Sequence, residues 1–292
     1  MNLREVEKIY NPPHPHMVGD GFRVHNFIPG IPELSMSRMD PYIMLDYNSK
    51  FNFPASNTPK GVGVHPHRGF ETITIAYHGR IAHHDSYGNS GIIHEGEVQW
   101  MTAASGILHK EYHEEEFSKS GGDFQMVQLW LNLPAKYKMT EPKYQNITKE
   151  SIPKILTSNN QVEIELIAGN FLEHKGPAYT FTPVNLMNIK LNAGAEIDLN
   201  YPEDFNTCML VIEGEIVINN LEKAKLDQLV LMKNHGQNFS IKSEQASTIL
   251  LLSAQPINEP IASHGPFVMN TREELIQAFN DFQEGKFGVL VD

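Results

Sequence analysis

The sequence predicts an all-β protein, built as sandwiches or barrels of short antiparallel strands, with one short helix near its C-terminal end. Short runs of β-branched and aromatic residues, separated by glycine turns, fill residues 61–133 and return over residues 161–255. The segment Glu-Gly-Glu-Ile from Glu213 echoes His-Gly-Arg-Ile from His78. This repeat indicates that the second stretch is another copy of the barrel formed by the first.

The boundary between the two copies is predicted from composition. The chain after Pro134 is polar and interrupted by proline, as is typical of a connecting segment. We therefore predict a first barrel over residues 1–135 that carries the functional site, a linker over 136–155 and a second barrel over 156–292. The C-terminal helix is assigned to this last region.

That helix is predicted over about residues 271–284 from its own start and stop signals. Thr271 and Glu274 have the spacing of a capping box. The apolar residues that follow recur at helical spacing: Leu275, Ala278, Phe279 and Phe282. Gly285 marks the end. The apolar stripe predicts that the helix packs against a barrel.

Composition and charge exclude several classes of protein. Hydrophobic residues make up 40% of the 292 residues and charged residues 20%, which is typical of a globular protein. The formal net charge of -12 argues against binding to nucleic-acid phosphates. The single cysteine, Cys208, excludes an intrachain disulfide and fits a reducing compartment. Because the sequence has no apolar leader and no run long enough to cross a bilayer, we expect a cytoplasmic protein that does not bind membrane, with the nucleus as the alternative in a eukaryote. We also expect a monomer that does not bind nucleic acid directly.

Two pairs of residues stand out in the first strand-rich stretch: His65 with His67, and His109 with Glu111. Because successive side chains of a strand point to opposite faces, the members of each pair share a face, with Cα atoms roughly 6.5–7 Å apart. Glu71 has the same parity as His67 if the strand continues through it. Three imidazoles and a carboxylate suit Fe, Ni, Cu, Co or Mn, and the lack of a cysteine partner argues against a closed Cys-rich zinc site.

Two interpretations of the first pair stay open from the residues alone. An isolated His-x-His on a strand is often two partly exposed histidines, whereas a second ligand-type pair after a strand-like interval favours a metal site. An ungapped alignment of Gly79 with Gly214 places no histidine of the second stretch opposite His65, His67 or Glu71. We therefore predict a metal site in the first barrel alone.

Five segments together resemble the pirin family of the cupin superfamily, and the resemblance spans most of the chain. The first segment, His-Pro-His-Arg-Gly-Phe-Glu-Thr, is long and specific, and the full set is 65–72, 96–103, 106–111, 138–145 and 264–271. One departure is visible. Many pirins have Gly-Arg-Gly where this chain has Ala104-Ser105-Gly106, so the pocket mouth or a contact near the ligands is expected to differ.

The resemblance implies a bicupin of two jelly-roll barrels with one iron, as Fe²⁺, in the N-terminal barrel; Ni, Co, Mn, Cu or Zn are the alternatives. By position, the implied ligands are His65, His67, His109 and Glu111. Glu71 is implied to lie next to the site. The remaining histidines nearby are expected to be surface or turn residues, with hydrogen bonds to the ligands as the alternative: His83, His84, His94 and His113.

The resemblance also implies a chemistry, that of quercetin 2,3-dioxygenase, in which a small aromatic substrate and O2 react with ring opening and release of carbon monoxide. Glu71, if unligated, or Glu111, by dissociating transiently, is the candidate general base. Arg68, Phe70 and Trp100 are candidates for the pocket or the surroundings of the ligands. The competing interpretations are an ion pair with an acidic residue for Arg68 and core packing for the two aromatic residues.

A second hypothesis comes from another class of function. Some pirins are nuclear or cytoplasmic regulators that bind transcription factors or metabolic enzymes, with the iron as a redox switch. The acidic net charge would favour a basic protein partner. A pocket of flavonol size would favour the enzyme, and a sealed metal beside an exposed apolar patch would favour the regulator. A cupin whose metal has no turnover role is the third and least favoured hypothesis.

Overall fold

The computed structural model describes residues 2–291 and confirms the all-β prediction, because antiparallel strands make up most of the regular structure. The first strands are β1 Val6–Tyr10, β2 His16–Val18, β3 Phe22–Ile28, β4 Tyr42–Phe53, β5 Gly61–His67, β6 Phe70–His78, β7 Ile81–Asp85, β8 Ser90–Ile93, β9 Val98–Thr102, β10 Ile107–His113, β11 Gly122–Asn132 and β12 Lys143–Ile147. The remaining strands are β13 Lys154–Thr157, β14 Val162–Ala168, β15 Asn170–Phe171, β16 His174–Lys175, β17 Val184–Leu191, β18 Glu196–Asn200, β19 Asn206–Glu213, β20 Glu215–Ile218, β21 Glu222–Lys225, β22 Leu229–Met232, β23 Asn238–Lys242, β24 Ser247–Ala254, β25 Ala262–His264 and β26 Phe267–Met269.

Helices are few and short. The α-helices are α1 Met36–Met39, α2 Glu115–Ser120 and α3 Arg272–Gln283, and single 3₁₀ turns occur at Pro32–Leu34 and Ala135–Tyr137. Within residues 2–291, none of the helices has both the length and the apolar character needed to cross a membrane.

The chain forms two compact units, each with its own pair of sheets. Residues 13–149 and 257–291 make the unit that we call the first barrel, and residues 2–12 and 150–256 make the second barrel. In the first barrel a seven-stranded sheet has the order β12-β9-β6-β11-β4-β3-β2, and a four-stranded sheet has the order β5-β10-β7-β8. The second barrel repeats this pattern as β1-β22-β19-β24-β17-β14-β13 and β18-β23-β20-β21. The internal repeat that the sequence indicated is therefore a repeat of strand order.

The division of the chain differs from the predicted one at three places. Strand β12 lies inside the predicted linker, 136–155, and pairs with β9 of the first barrel. Strand β1, at the N-terminal end, pairs with β22 of the second barrel, and residues 257–291 belong to the first. Strand β12 in the first barrel and strand β1 in the second pair with backbone groups that would otherwise form an open sheet edge. These differences from the predicted division depend on pairing between segments that are distant in sequence, which local composition does not reveal.

The C-terminal helix α3 has the predicted start and end. Thr271 and Glu274 form a complete capping box, and Gly285, at φ +76, follows the last turn. Leu275 and Ala278 are buried in a small apolar cluster with Phe267 of β26, whereas Phe282, the last residue of the predicted stripe, is 37% exposed. The helix packs in the first barrel, contrary to its predicted place in the region 156–292.

Candidate metal centre

Two neighbouring strands of the four-stranded sheet carry the four predicted ligands. On β10 the odd-numbered residues are buried, so His109 and Glu111 point inward while Lys110 between them does not. Strand β5 pairs with β10 so that His65 lies directly opposite His109, and His67 lies two pairs further along, opposite Ile107. The register that joins these strands is therefore what brings the two pairs of candidate ligands to one place.

The three histidines form a tight cluster. Ring centroids are 4.8 Å apart for His65 and His67, 4.2 Å for His65 and His109, and 4.7 Å for His67 and His109. One ring nitrogen of each lies within 4.8 Å of those of the other two. His67 and His109 are buried and His65 is partly exposed. This arrangement is that of a set of donors able to converge on one ion.

Glu111 lies on the other side of His109. Its carboxylate belongs to a second group, with His83 and His109, whose ligand atoms are also within 4.8 Å of one another. The hydroxyl of Thr74 donates to Oε1 of Glu111 at 3.2 Å. Glu111 is thus held close to His109 and is partly satisfied by the protein, while its second oxygen is left for other partners.

His83 is a site residue that the sequence reasoning placed at the surface or in a turn. It is fully buried, and its Nδ1 lies 3.5 Å from Nδ1 of His109. The signal was present in the parity of β7, where Ile81, His83 and Asp85 alternate inward and all are buried. His94 is exposed, His84 contacts Tyr112, and His113 lies in an aromatic cluster with Phe124, away from the ligands.

The electrostatics of the cluster fit a cation. Burial lowers the pKa of His67 and His109 well below the usual range, and the neighbouring His65 lowers both further. Both rings are therefore neutral at pH 7, which is the form that binds metals. Nε2 of His109 is buried and has no hydrogen-bond partner within residues 2–291. Such an unpaired atom costs about 1–3 kcal/mol, which coordination would remove. The donors present therefore fit a redox-active or borderline metal.

A cavity of about 300 Å³ opens beside the cluster and is lined by His65, His67 and Glu111. Its volume lies at the lower end of the range for small-molecule sites. Most of its other walls are apolar, and among the residues that form them are Phe22, Met44, Val62, Met126 and Trp130. The structure thus places the candidate ligands at the surface of a mostly apolar pocket.

A row of polar side chains crosses the sheet on the opposite wall of this pocket. Strand pairing aligns Asn26, Asp46, Gln128 and Thr74 on four neighbouring strands. Asn26 Nδ2 donates to Asp46 at 2.6 Å, and the Thr74 hydroxyl lies 2.7 Å from Oε1 of Gln128. Asp46 and Gln128 line the cavity, so they are the polar groups that a bound molecule would meet away from the metal ligands.

Glu71, predicted beside the metal, lies on the other face of its strand. The chain turns at Gly69, whose φ is +91, and enters β6 in the seven-stranded sheet, so the parity of β5 does not continue. Thr74 faces Glu111, and Glu71, three residues earlier, therefore faces away. Thr102 donates to it at 2.6 Å, and burial raises the pKa of Glu71 to about 7. Trp100 lies on the same face of the sheet as Glu71 and is also buried, so neither residue lines the cavity. Of the two interpretations of Trp100, the structure therefore supports core packing.

The other two candidates for the pocket lie behind it. Arg68 donates to Asp281 of α3 at 2.8 Å and to the carbonyl oxygen of Ser105 at 2.6 Å. The bond to Asp281 is the ion pair with an acidic residue that was the competing interpretation of Arg68. Phe70 is fully buried, with its ring 5.0 Å from that of His67 and stacked on Trp130 at 4.2 Å. It supports the ligand and the pocket wall without lining the cavity.

The departure from the Gly-Arg-Gly pattern also has a structural position. Ala104 adopts φ +41, a region that glycine enters more readily, and its carbonyl oxygen accepts from the backbone N–H of Gly69. This bond fixes the turn that follows His67. The carbonyl oxygen of Ser105 is the acceptor used by Arg68, so the segment holds the end of β5 through backbone groups.

Comparisons with known proteins cover both barrels. The Pirin family model matches residues 21–131, and the model for the Pirin C-terminal cupin domain matches residues 186–288. A Pseudomonas aeruginosa protein, provisionally named a quercetin 2,3-dioxygenase, is 40% identical over 285 residues, which are 98% of this chain and 99% of that protein. Pirin-1 of Arabidopsis thaliana is 37% identical over 275 residues, which are 92% of this chain and 90% of that protein.

A solved structure is similar over the whole length. The crystal structure of quercetin 2,3-dioxygenase from Acinetobacter baumannii has a TM-score of 0.92 and 43% sequence identity, covering 99% of this chain and 100% of that one. The fold described above is therefore shared with a protein of solved structure.

Proposed function

The chain belongs to the pirin family, and from this premise we propose that it is a metal-dependent dioxygenase that opens the central ring of flavonols such as quercetin. The observation that carries the proposal is the cavity on which His65, His67 and Glu111 open. A pocket beside candidate ligands favours an enzyme over a sealed structural or sensing metal. The names of the P. aeruginosa and A. baumannii relatives give the same activity.

We assign the metal to His65, His67, His109 and Glu111, with iron as the metal by resemblance to other pirins. When bound, the metal would supply a Lewis acid for a substrate oxygen and a redox centre for O2. The carboxylate of Glu111 groups with His83 and His109 and lies outside the group of His65, His67 and His109, so Glu111 would be the least firmly held of the four ligands. This makes Glu111 our candidate for the general base as well, in place of Glu71.

The chain's own residues then have three tasks. The apolar walls, Phe22 and Trp130 among them, hold the flat rings of the flavonol and exclude water. Asp46 and Gln128, on the opposite wall, orient substrate hydroxyls by hydrogen bonds. Glu111 takes the proton of the flavonol 3-hydroxyl on Oε2, while Thr74 holds Oε1.

The reaction consumes one O2 for each flavonol. Two carbon–carbon bonds of the central ring break, both oxygen atoms enter the product, an ester of two phenolic acids, and one carbon leaves as carbon monoxide. We would load the protein with iron under anaerobic conditions and measure O2 uptake and carbon monoxide with quercetin. Saturable uptake that is lost in His109→Ala together with the metal supports the proposal. The proposal would be refuted if the protein bound each candidate metal stoichiometrically but consumed no O2 with any of them.

The regulatory hypothesis stays second. It was expected to show a sealed metal, and the cavity at His65 favours the enzyme instead. A pull-down that compares ferrous and ferric protein tests it directly, since a redox switch requires a partner that binds one state and not the other.

A further inference from the structure

A buried His–Asp pair lies behind His109 and has no task in the proposed reaction. His83 and Asp85 both lie on β7, which pairs with β10 so that Asp85 is opposite His109 and His83 is opposite Glu111. His83 is fully buried and Asp85 is 4% exposed. Burying an imidazole and a carboxylate together is costly unless they bind each other or a third group. Their place in the barrel therefore needs a reason.

Distances connect the pair to His109 in a chain. Nδ1 of His83 lies 3.5 Å from Nδ1 of His109, and Nε2 of His83 lies 3.7 Å from Oδ2 of Asp85. Nε2 of His109 and Nε2 of His83 are buried and lack hydrogen-bond partners within residues 2–291. One nitrogen of His109 thus faces His83, and the other is left free.

Both members of the pair are fixed in place. The backbone N–H groups of Tyr87 and Asn89 donate to Oδ1 of Asp85 at 2.9 and 3.0 Å, and the Asn89 side chain donates to Oδ2 at 2.9 Å. The ring of His83 stacks on Tyr144, with centroids 5.4 Å apart and planes at 22°. A carboxylate clamped by a turn and a stacked imidazole form a rigid support.

We propose that His83 and Asp85 are positioning residues that determine which nitrogen of His109 faces the metal. Nδ1–H of His109 donates to Nδ1 of His83, and the proton on Nε2 of His83 is directed at Oδ2 of Asp85, 3.7 Å away. This pattern of protons leaves Nε2 of His109 as the ligand atom and fixes the orientation of its ring. Hydrogen bonds of this kind behind a metal-bound histidine raise metal affinity by about 10–100-fold. The inference rests on the metal centre of the proposed function, but not on its substrate.

The test is the dissociation constant for Co²⁺, measured by competition with a chelator and without flavonol. His83→Phe keeps the ring against Tyr144 but removes both nitrogens, and we expect binding to weaken about 10–100-fold. His83→Gln retains one acceptor and one donor and should restore most of the affinity. The matched control is His84→Phe, at the next residue, whose Nδ1 contacts the hydroxyl of Tyr112 and not the cluster. The control should bind Co²⁺ as tightly as the wild type.

Other results would overturn the proposal. Unchanged affinity in His83→Phe would mean that the pair does not position His109. Loss of binding as complete as in His109→Ala would mean that His83 is itself a ligand. Circular dichroism checks that each variant is folded. If His83→Phe is misfolded, Asp85→Asn tests the proposal in the same Co²⁺-binding assay. We expect Asp85→Asn to bind Co²⁺ more weakly and to shift its absorption spectrum. Wild-type protein that binds Co²⁺ but, loaded with each candidate metal, consumes no O2 with quercetin would refute the proposed function and leave this inference intact.

Discussion

The two barrels share one strand order but differ in what their inner faces hold. In the first barrel the inward residues of β5 and β10 are the candidate ligands: His65, His67, His109 and Glu111. In the second barrel the corresponding strands, β18 and β23, turn apolar residues inward: Ile197, Leu199, Phe239 and Ile241. The alternation of inward and outward residues is the same, so the fold does not depend on the ligands.

The opposite walls differ in the same way. The row that crosses β3, β4, β11 and β6 in the first barrel is polar: Asn26, Asp46, Gln128 and Thr74. The row on β14, β17, β24 and β19 of the second barrel is apolar: Leu166, Met187, Leu251 and Met209. Those four belong to a continuous buried cluster that fills the barrel. The candidate site therefore lies in the barrel whose interior holds a cavity and a polar row in place of a filled apolar core. We expect this interior to be less stable than the filled one, as is common at functional sites.

The largest expected effect comes from making the first barrel resemble the second. His109→Leu removes the central imidazole, and metal affinity and O2 uptake should each fall by about 100-fold or more. The stability of the metal-free variant should differ from that of wild type by less than about 1 kcal/mol, because removing the unpaired Nε2 is offset by the contact that His83 loses. Metal titration and thermal unfolding of the metal-free protein measure the two effects. A variant that still binds metal tightly would contradict the assignment of His109.

The reverse exchange should damage the second barrel. Phe239 is 2% exposed, and Phe239→His replaces a packed ring with a smaller, unpaired imidazole. We expect a loss of about 4 kcal/mol in the free energy of unfolding, measured with denaturant. Ser240→His, on the outward face of the same strand, is the control and should change stability by less than about 0.5 kcal/mol. Equal effects at both positions would mean that the second interior is not tightly packed.

A third difference is that only the first barrel of the described chain carries α3. The Arg68–Asp281 ion pair joins this helix to the residue after His67, and both side chains are buried. Asp281→Asn should destabilise the protein by about 3 kcal/mol, because Arg68 loses its charged partner. Glu284→Gln removes a carboxylate from the exposed pair with Lys286 and should cost less than about 0.5 kcal/mol. Similar losses in the two variants would show that the buried pair contributes little.

The next comparison concerns Glu71, where the aligned position of the second barrel is the neutral Asn206. With a folded pKa of about 7 against 4.5 when unfolded, Glu71 keeps its proton in the folded state while the unfolded chain loses it. Stability should therefore fall as pH rises from about 4.5 to 7. Glu71→Gln should match wild type at pH 4 and be more stable by about 3 kcal/mol at pH 8. Parallel stability–pH curves for the two proteins would contradict the raised pKa.

Much of this comparison was predictable from sequence. The strands, the repeat and the capping box of α3 follow from local periodicity, and the set of His65, His67, His109 and Glu111 follows from the resemblance to pirins. Glu71 was placed wrongly because the parity argument assumed one continuous strand, whereas Gly69 turns the chain into another sheet. The spacing of residues along a sequence predicts which side chains share a face only while the strand lasts.

What sequence could not supply depends on long-range pairing. The exchange of β1 and of α3 between the expected regions, and the polar row with Asp46, each require the register of strands that are distant in sequence. Trp100 and Trp130 illustrate the same limit. Both lie on aromatic, strand-like segments, and only sheet pairing separates the core residue from the one that lines the cavity.

The smallest expected effect lies in the polar row that distinguishes the first barrel. Asp46→Asn keeps the shape of the side chain and its contact with Asn26, but a substrate hydroxyl would lose a charged acceptor. Since a charge-assisted hydrogen bond is stronger than a neutral one by about 1 kcal/mol, KM for quercetin should rise about fivefold, with kcat and Co²⁺ affinity unchanged. Asp123→Asn, at an exposed carboxylate of the same barrel, is the control. A fall in kcat or in metal affinity for Asp46→Asn would show that the row acts on the metal centre and not on the substrate, so that the two walls of the first barrel form one functional unit.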